Sequence, residues 1–192
     1  MTTAAPSYVL ELRQRFTPLQ NRYDLVGIDA AGQETVLGYA EQKRFALKEK
    51  VTFWTGEDRA QVAFTLAARK MFEIAGTYDV AAADGTVLAT NAQDVMSSLM
   101  RSTYTVDVGG RRIVGKERSA VQALLRRALD LFSDLPWFLP IHFDFAEDQD
   151  VVLTIERQMK FKDTYRIAVA DGSLDWRVAA ALAVTVDAFM NR

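Results

Sequence analysis

DWRVAAALAVTVDAFM, Asp175 to Met190, is the stretch whose reading decides the fold. Taken as a helix, it carries Trp176, Val178, Leu182, Val184, Val186, Phe189 and five alanines in nearly every direction around its axis. A helix that is apolar all round must be buried on all sides. At about 1.5 Å per residue it is roughly 24 Å long, enough to run through a barrel of modest height. Its longest apolar run, Val178 to Val186, is nine residues with one threonine, bracketed by Arg177 and Asp187. A membrane-spanning helix needs about 20. The stretch is therefore read as a core helix, not an anchor, and its alanines let other side chains approach the axis closely.

What precedes it is strand signature, period-two alternation bounded by turn residues. In Met71 to Ala82, Phe72, Ile74, Tyr78 and Val80 share one face, while Glu73, Thr77 and Asp79 share the other. Asp84-Gly85 then gives a two-residue hairpin signal, and Thr86 to Thr90 returns. Tyr104, Val106 and Val108 alternate with Thr103, Thr105 and Asp107, and Gly109-Gly110 turns the chain into Arg112 to Arg118. Ile141, Phe143 and Phe145 alternate with His142 and Asp144 before an acidic turn. With the weaker segments, about twelve strands are expected near residues 7–15, 23–29, 34–40, 51–55, 62–68, 71–82, 86–92, 103–108, 112–118, 141–147, 151–159 and 164–170. So many strands favour a mainly β protein, an antiparallel barrel closed around the helix, because closure removes exposed edges. One segment breaks the pattern. Ser119 to Ser133 places Val121, Leu124, Leu125, Ala128, Leu129 and Phe132 at helical steps. It is expected as an amphipathic surface helix at about 119–134, within a 119–140 insertion that ends in Leu135-Pro136-Trp137-Phe138-Leu139-Pro140.

The 192 residues carry no fixed repeat or linker and are read as one domain. A net charge of -2 argues against a general nucleic-acid binder. Local basic pockets stay open, since local field and net charge are separate quantities. The absence of cysteine excludes disulfides, zinc–thiolate sites and cysteine nucleophiles. The start, Met1 to Pro6, has neither a basic nor an apolar region of the secretory kind. The expected location is cytoplasmic, with no transmembrane span and peripheral contact with a membrane.

Many strands followed by a C-terminal apolar helix resemble the tubby-like fold, which includes tubby C-terminal domains, phospholipid scramblases and LURP-one-related proteins. The resemblance is strongest with the LURP-one-related and scramblase-like group. It is carried by Leu12-Arg13-Gln14-Arg15-Phe16, Tyr23-Asp24-Leu25-Val26-Gly27-Ile28-Asp29, Phe72-Glu73-Ile74 and Asp84-Gly85-Thr86-Val87-Leu88. The ending adds to it: Asp163-Thr164-Tyr165-Arg166-Ile167, Leu174-Asp175-Trp176-Arg177, and the helix closing with Asp187. It implies a twelve-stranded barrel around a central helix. Tubby domains bind phosphoinositides through basic barrel-surface side chains, and scramblases are associated with lipid movement and calcium. The 119–140 insertion departs from the minimal pattern.

Several motifs carry potential chemistry. Gly110-Arg111-Arg112-Ile113-Val114-Gly115-Lys116-Glu117 matches seven positions of a phosphate-binding loop, but Glu117 stands where a magnesium-ligating Ser or Thr belongs. The glycines open a hairpin instead. His142, the single histidine, alternates with Ile141 and Phe143 and is expected to point outward. No Gly-x-Ser-x-Gly accompanies it. No nucleophile, base and orienting group come together, so no enzyme and no cofactor are implied. Asp144, Glu147, Asp148 and Asp150 form the one weak calcium candidate, since hard cations take several oxygen ligands. Arg69, Lys70, Arg111, Arg112, Lys116 and Arg118 are the candidate contacts for a lipid head group or other anion. Trp137 and Phe138 are candidate membrane contacts. The expected function is reversible binding of anionic phospholipid or a membrane surface. The alternative is a protein-interaction or scaffold domain with no lipid ligand.

Overall fold

The computed structural model describes residues 5–16, 20–43, 50–69, 77–94, 103–118, 141–158 and 164–190. They form twelve strands and a C-terminal helix. The strands are Tyr8–Phe16 (β1), Gln20–Ile28 (β2), Glu34–Lys43 (β3), Val51–Trp54 (β4), Val62–Ala68 (β5), Thr77–Ala82 (β6), Val87–Asp94 (β7), Thr103–Val108 (β8), Arg111–Glu117 (β9), His142–Glu147 (β10), Asp150–Gln158 (β11) and Thr164–Val169 (β12). The helix, α1, is Trp176–Met190. The expected surface helix at 119–134, with Trp137, Phe138 and Lys70, lies outside the described residues.

Each strand pairs antiparallel with its neighbours in sequence, and β1 pairs with β12 to close the barrel. The closing register sets Leu10 opposite Ile167 and Leu12 opposite Tyr165. All these side chains are buried, so the seam is cemented by inward apolar pairs like those of any other strand pair.

Up-and-down connectivity puts the turns at 29–33, 55–61, 83–86, 109–110 and 148–149 at one end, together with the entry to α1. We call this the upper end. Aspartates staple these turns. Asp29 Oδ1 accepts the Ala31 and Gln33 N–H groups at 2.9 and 2.8 Å. Asp84 Oδ1 accepts Thr86 N–H at 2.9 Å, and Asp107 Oδ1 accepts Gly110 N–H at 3.1 Å. Such bonds mimic backbone turns and are why Asp recurs there. Gly109 and Gly110, with φ of 60° and 88°, make the expected two-residue hairpin, because a primed turn needs φ > 0 at both centres. The Asp84-Gly85 turn differs from expectation. Ala82 N–H bonds Thr86 C=O at 2.9 Å, and the register shifts between Val80 and Ala81. The loop is thus a residue longer and ends in a bulge, because a type I turn must add one to match strand twist.

Helix α1 enters from the upper end. Asp175 caps it, its Oδ1 accepting Arg177 N–H at 2.9 Å, which satisfies one of the first-turn donors that lack a helical partner. Every residue from 178 to 187 is buried. Val178, Leu182, Val184 and Val186 are at most 1% exposed, and each such burial contributes roughly 1.5–3 kcal/mol relative to exposure. No helix among the described residues is long and apolar enough to cross a membrane. Around α1 the upper and middle interior is apolar: Phe53 stacks on Phe64 at 4.4 Å, and Trp176 meets Phe64 edge-on. Lower down the lining turns polar, with Gln14, Asn91, Glu117 and Arg157 buried. There Tyr23 and Tyr165, on the strands flanking β1, each donate a 2.7 Å hydrogen bond to the buried carboxylate of Asp187. A carboxylate near the negative end of a helix is disfavoured by the helix dipole. The two phenols offset that cost and tie the last turn to the wall.

Candidate functional site

On β9, Ile113, Gly115 and Glu117 face inward and are buried, so Arg112, Val114 and Lys116 face out. Arg118 follows in the same alternation and is exposed. At about 3.4 Å per residue these three cations mark a stripe roughly 20 Å long down the barrel wall. Arg118 grips Asp144 through Nε at 2.9 Å and Nη2 at 2.6 Å, and this hydrogen-bonded pairing raises the pKa of its guanidinium. Arg112 stands opposite Asp107 on β8, and Lys116 opposite Asp144 on β10. Neither Arg112 nor Lys116 closes an ion pair among the described residues.

Arg111 serves another purpose. Its guanidinium bonds Glu147 through Nη2 at 2.6 Å and Asp171 through Nη2 at 2.7 Å, and its Nη1 reaches Ser173 Oγ at 3.2 Å. It thereby clamps β9, the β10 rim and the entry loop of α1 together. Bonds from Ser173, and then from Arg111, hold the Asp171 carboxyl down at about 2. The Arg111 contact also lowers Glu147. Arg69 lies four strands from β9 around the wall, its Nε on Asp79 at 2.8 Å and its Nη2 on Thr90 at 3.2 Å. The structure therefore groups Arg112, Lys116 and Arg118, sets Arg111 on the upper rim and separates Arg69 from them.

The acidic candidates divide likewise. Asp144 and Glu147 are engaged by arginines on two different levels of the wall, whereas Asp148 and Asp150 stay exposed in the turn. Among the described residues no three acidic or histidine groups converge as a metal site. His142 faces outward, Nε2 3.5 Å from Glu156 Oε1. The phosphate-loop-like stretch is a hairpin strand in which Gly115 lies against Phe145 and Glu117 is buried.

A groove of about 340 Å³ on the outer face of β1–β3 escaped the sequence reading. Arg13, Arg15, Asp24, Glu34 and Glu57 form its walls, and Val26, Val36 and Tyr39 its floor. Its one sequence signal is the alternation of Glu11, Arg13 and Arg15 along β1, which any solvated strand face would also show. The partners of those residues come from β2, β3 and the 55–61 turn.

Comparison with known proteins places these features in context. The LURP-one-related family pattern matches residues 36–187. The X-ray structure of an Arabidopsis thaliana protein aligns with 98% of this chain and 94% of its own, at 16% identity and a TM-score of 0.48. No curated protein matches the sequence.

Proposed function

This chain belongs to the LURP-one-related family, and from that footing we propose that its tubby-like barrel binds anionic phospholipid head groups reversibly at the cytoplasmic face of a membrane. The observation that carries the reading is the outer face of β9. Arg112 and Lys116 are exposed there without ion pairs among the described residues, in line with Arg118. A charged group that is not already engaged can meet a phosphate without first breaking an internal bond. By sequence, β9 and β10 are the strands that bracket the 119–140 insertion with Trp137 and Phe138. Basic residues beside interfacial aromatics suit a membrane surface. Arg111 and Arg69 contribute less in this reading, because their guanidinium groups are occupied.

Flotation with neutral, anionic and phosphoinositide-bearing vesicles at low salt tests the proposal. Each basic residue near an anionic surface contributes about 1 kcal/mol, so Arg112→Ala with Lys116→Ala is expected to weaken anionic-vesicle binding by roughly 30-fold. Trp137→Ala with Phe138→Ala is expected to weaken binding whatever the head group. Absence of binding to every vesicle at low salt, where attraction is least screened, refutes it. The alternative, a protein-interaction domain, is favoured by one observation, the groove on β1–β3.

A further inference from the structure

We propose that the groove on the outer face of β1–β3 docks a basic segment of a partner protein, taking one lysine or arginine side chain across Val26 and Val36 with its charge beside Glu57.

The groove is built rather than incidental. Its far wall comes from the 55–61 turn, which is tied once to β3 and once to the end of β4. The Arg59 guanidinium bonds Glu41 and also lies 5.3 Å from the centre of the Trp54 ring. Arg59 has φ of 57°, a conformation that non-glycine residues uncommonly hold, and its N–H closes the turn on Gly56 C=O at 3.1 Å. Gly56 and Glu57 are thereby held facing β1 and β2 across the floor.

Its charge is decided by which groups are already engaged. Arg13 is shared between two carboxylates, at 2.7 Å from Glu11 and 2.6 Å from Glu34. Arg15 closes on Asp24 at 2.5 Å but reaches Glu57 only at 3.4 Å. Both arginines are thus neutralised within the wall, and the loosest charge is the Glu57 carboxylate, whose side chain is 68% exposed. The neighbouring turns add the exposed Asp29 and Asp58, so an anionic ligand approaching this face meets repulsion and a cation meets attraction. The floor supplies the second half of the fit. Val36 is 64% exposed, and a Lys or Arg stem lies along such a surface while its head stays on the carboxylates. The cavity is at the small end of the roughly 300–1,000 Å³ of ligand pockets, which suits one side chain rather than a folded domain. An anionic membrane, the ligand proposed for β9, is the wrong chemistry here.

The test is fluorescence anisotropy of the purified full chain with two labelled hexapeptides, one alternating Lys and Leu and the other alternating Glu and Leu. The basic peptide is expected to bind and to weaken steeply with added salt. Glu57→Lys should weaken it at least tenfold, Val36→Ser should weaken it without inverting the preference, and Arg112→Ala on β9 should leave it unchanged. Thermal melting of each variant confirms that it is folded. Equal binding of the acidic peptide, or basic-peptide affinity indifferent to Glu57→Lys, overturns the proposal. So does a loss of anionic-vesicle flotation in Val36→Ser, which would make this face a membrane contact. Failure of the Arg112 and Lys116 variants to affect vesicles bears on β9 alone.

Discussion

Replacing Gly115 by alanine adds a single methyl group, yet it should be among the more damaging small changes available to this protein. Gly115 faces the interior on β9, opposite Phe145 on β10 and Tyr104 on β8. A Cβ built there would lie 2.3 Å from Phe145 Cε1, 2.6 Å from Cδ1 and 2.7 Å from Cζ. Ordinary carbon–carbon contacts are about 3.5–4.0 Å, so the ring must retreat by more than about 1 Å. It has little room to do so. Phe145 is fully buried, with the rings of Tyr104 and Phe143 centred 6.3 and 6.4 Å away.

Overpacking of this kind costs typically 1–3 kcal/mol and occasionally more. The entropic benefit of Gly→Ala, about 0.4–1 kcal/mol, offsets only part of it. A net loss of roughly 2 kcal/mol corresponds to a fall in Tm of about 4–8 °C for a chain of this size. Urea unfolding followed by tryptophan fluorescence measures it. The decisive comparison is a double-mutant cycle with Phe145→Leu, which alone leaves a cavity that the added methyl can partly fill. The double variant should therefore be more stable than the two single losses predict, by about 1 kcal/mol or more. Gly115→Ala within about 0.5 kcal/mol of wild type, or strict additivity in the cycle, would refute the packing argument.

Three further outcomes follow from the same geometry. Leu182→Asn or Val184→Asn should abolish cooperative unfolding and expose the chain to protease rather than change any need for detergent, while the milder Leu182→Ala should cost about 2–5 kcal/mol; a fully folded Asn variant would contradict burial of α1. Tyr165→Phe should lower stability by about 1.5–3 kcal/mol, since it removes a hydrogen bond to the buried Asp187 carboxylate, and an unchanged melting curve would count against the tie. The third concerns pH. Asp171 is depressed from 3.8 to about 2 by Ser173 and Arg111, so its contribution is complete above its ordinary value and is lost as pH falls from near 4 toward 2. Asp171→Asn should remove that part of the acid-induced loss, and identical pH–stability profiles for the two proteins would sink the assignment.

Much of the architecture was legible because alternation reports which side chains face inward. Val62–Ala68 and Thr103–Val108 match their expected strands residue for residue, and the apolar stretch from Asp175 proved to be the capped central helix. Alternation carries no information about partners, and the surface reading was weaker for that reason. Arg111 and Arg112 are adjacent and chemically alike in sequence. One points to the rim and is held by Asp171, 60 residues away, while the other stands on the open wall. Only closure of the barrel brings Asp171 to Arg111, and no local pattern encodes it. The Tyr23–Asp187 bond likewise spans 164 residues. The aspartate closing the helix was visible in sequence, but its two phenol donors were not.

The filled interior bears directly on where function can reside. Ten consecutive buried residues of α1, from 178 to 187, occupy the axis. Phe53, Phe64, Phe143 and Phe145 pack around them as fully buried side chains. Among the described residues a lipocalin-like pocket inside the wall would require expelling a helix packed against the buried side chains of the strands, which turns attention to the outer surface. There the two candidate faces differ in sign as well as position. β9 is six strands from β3 around the ring of twelve, which places the basic stripe and the groove on opposite walls. The overall charge of -2 conceals that separation. If both sites operate, an anionic vesicle on β9 and a basic peptide on β1–β3 should bind simultaneously, with neither changing the other's affinity by more than about twofold, because a rigid plugged barrel offers no second state for either ligand to select. Mutual exclusion in a flotation assay carrying labelled peptide would show that the two faces are not independent and that the barrel is less rigid than its packing implies.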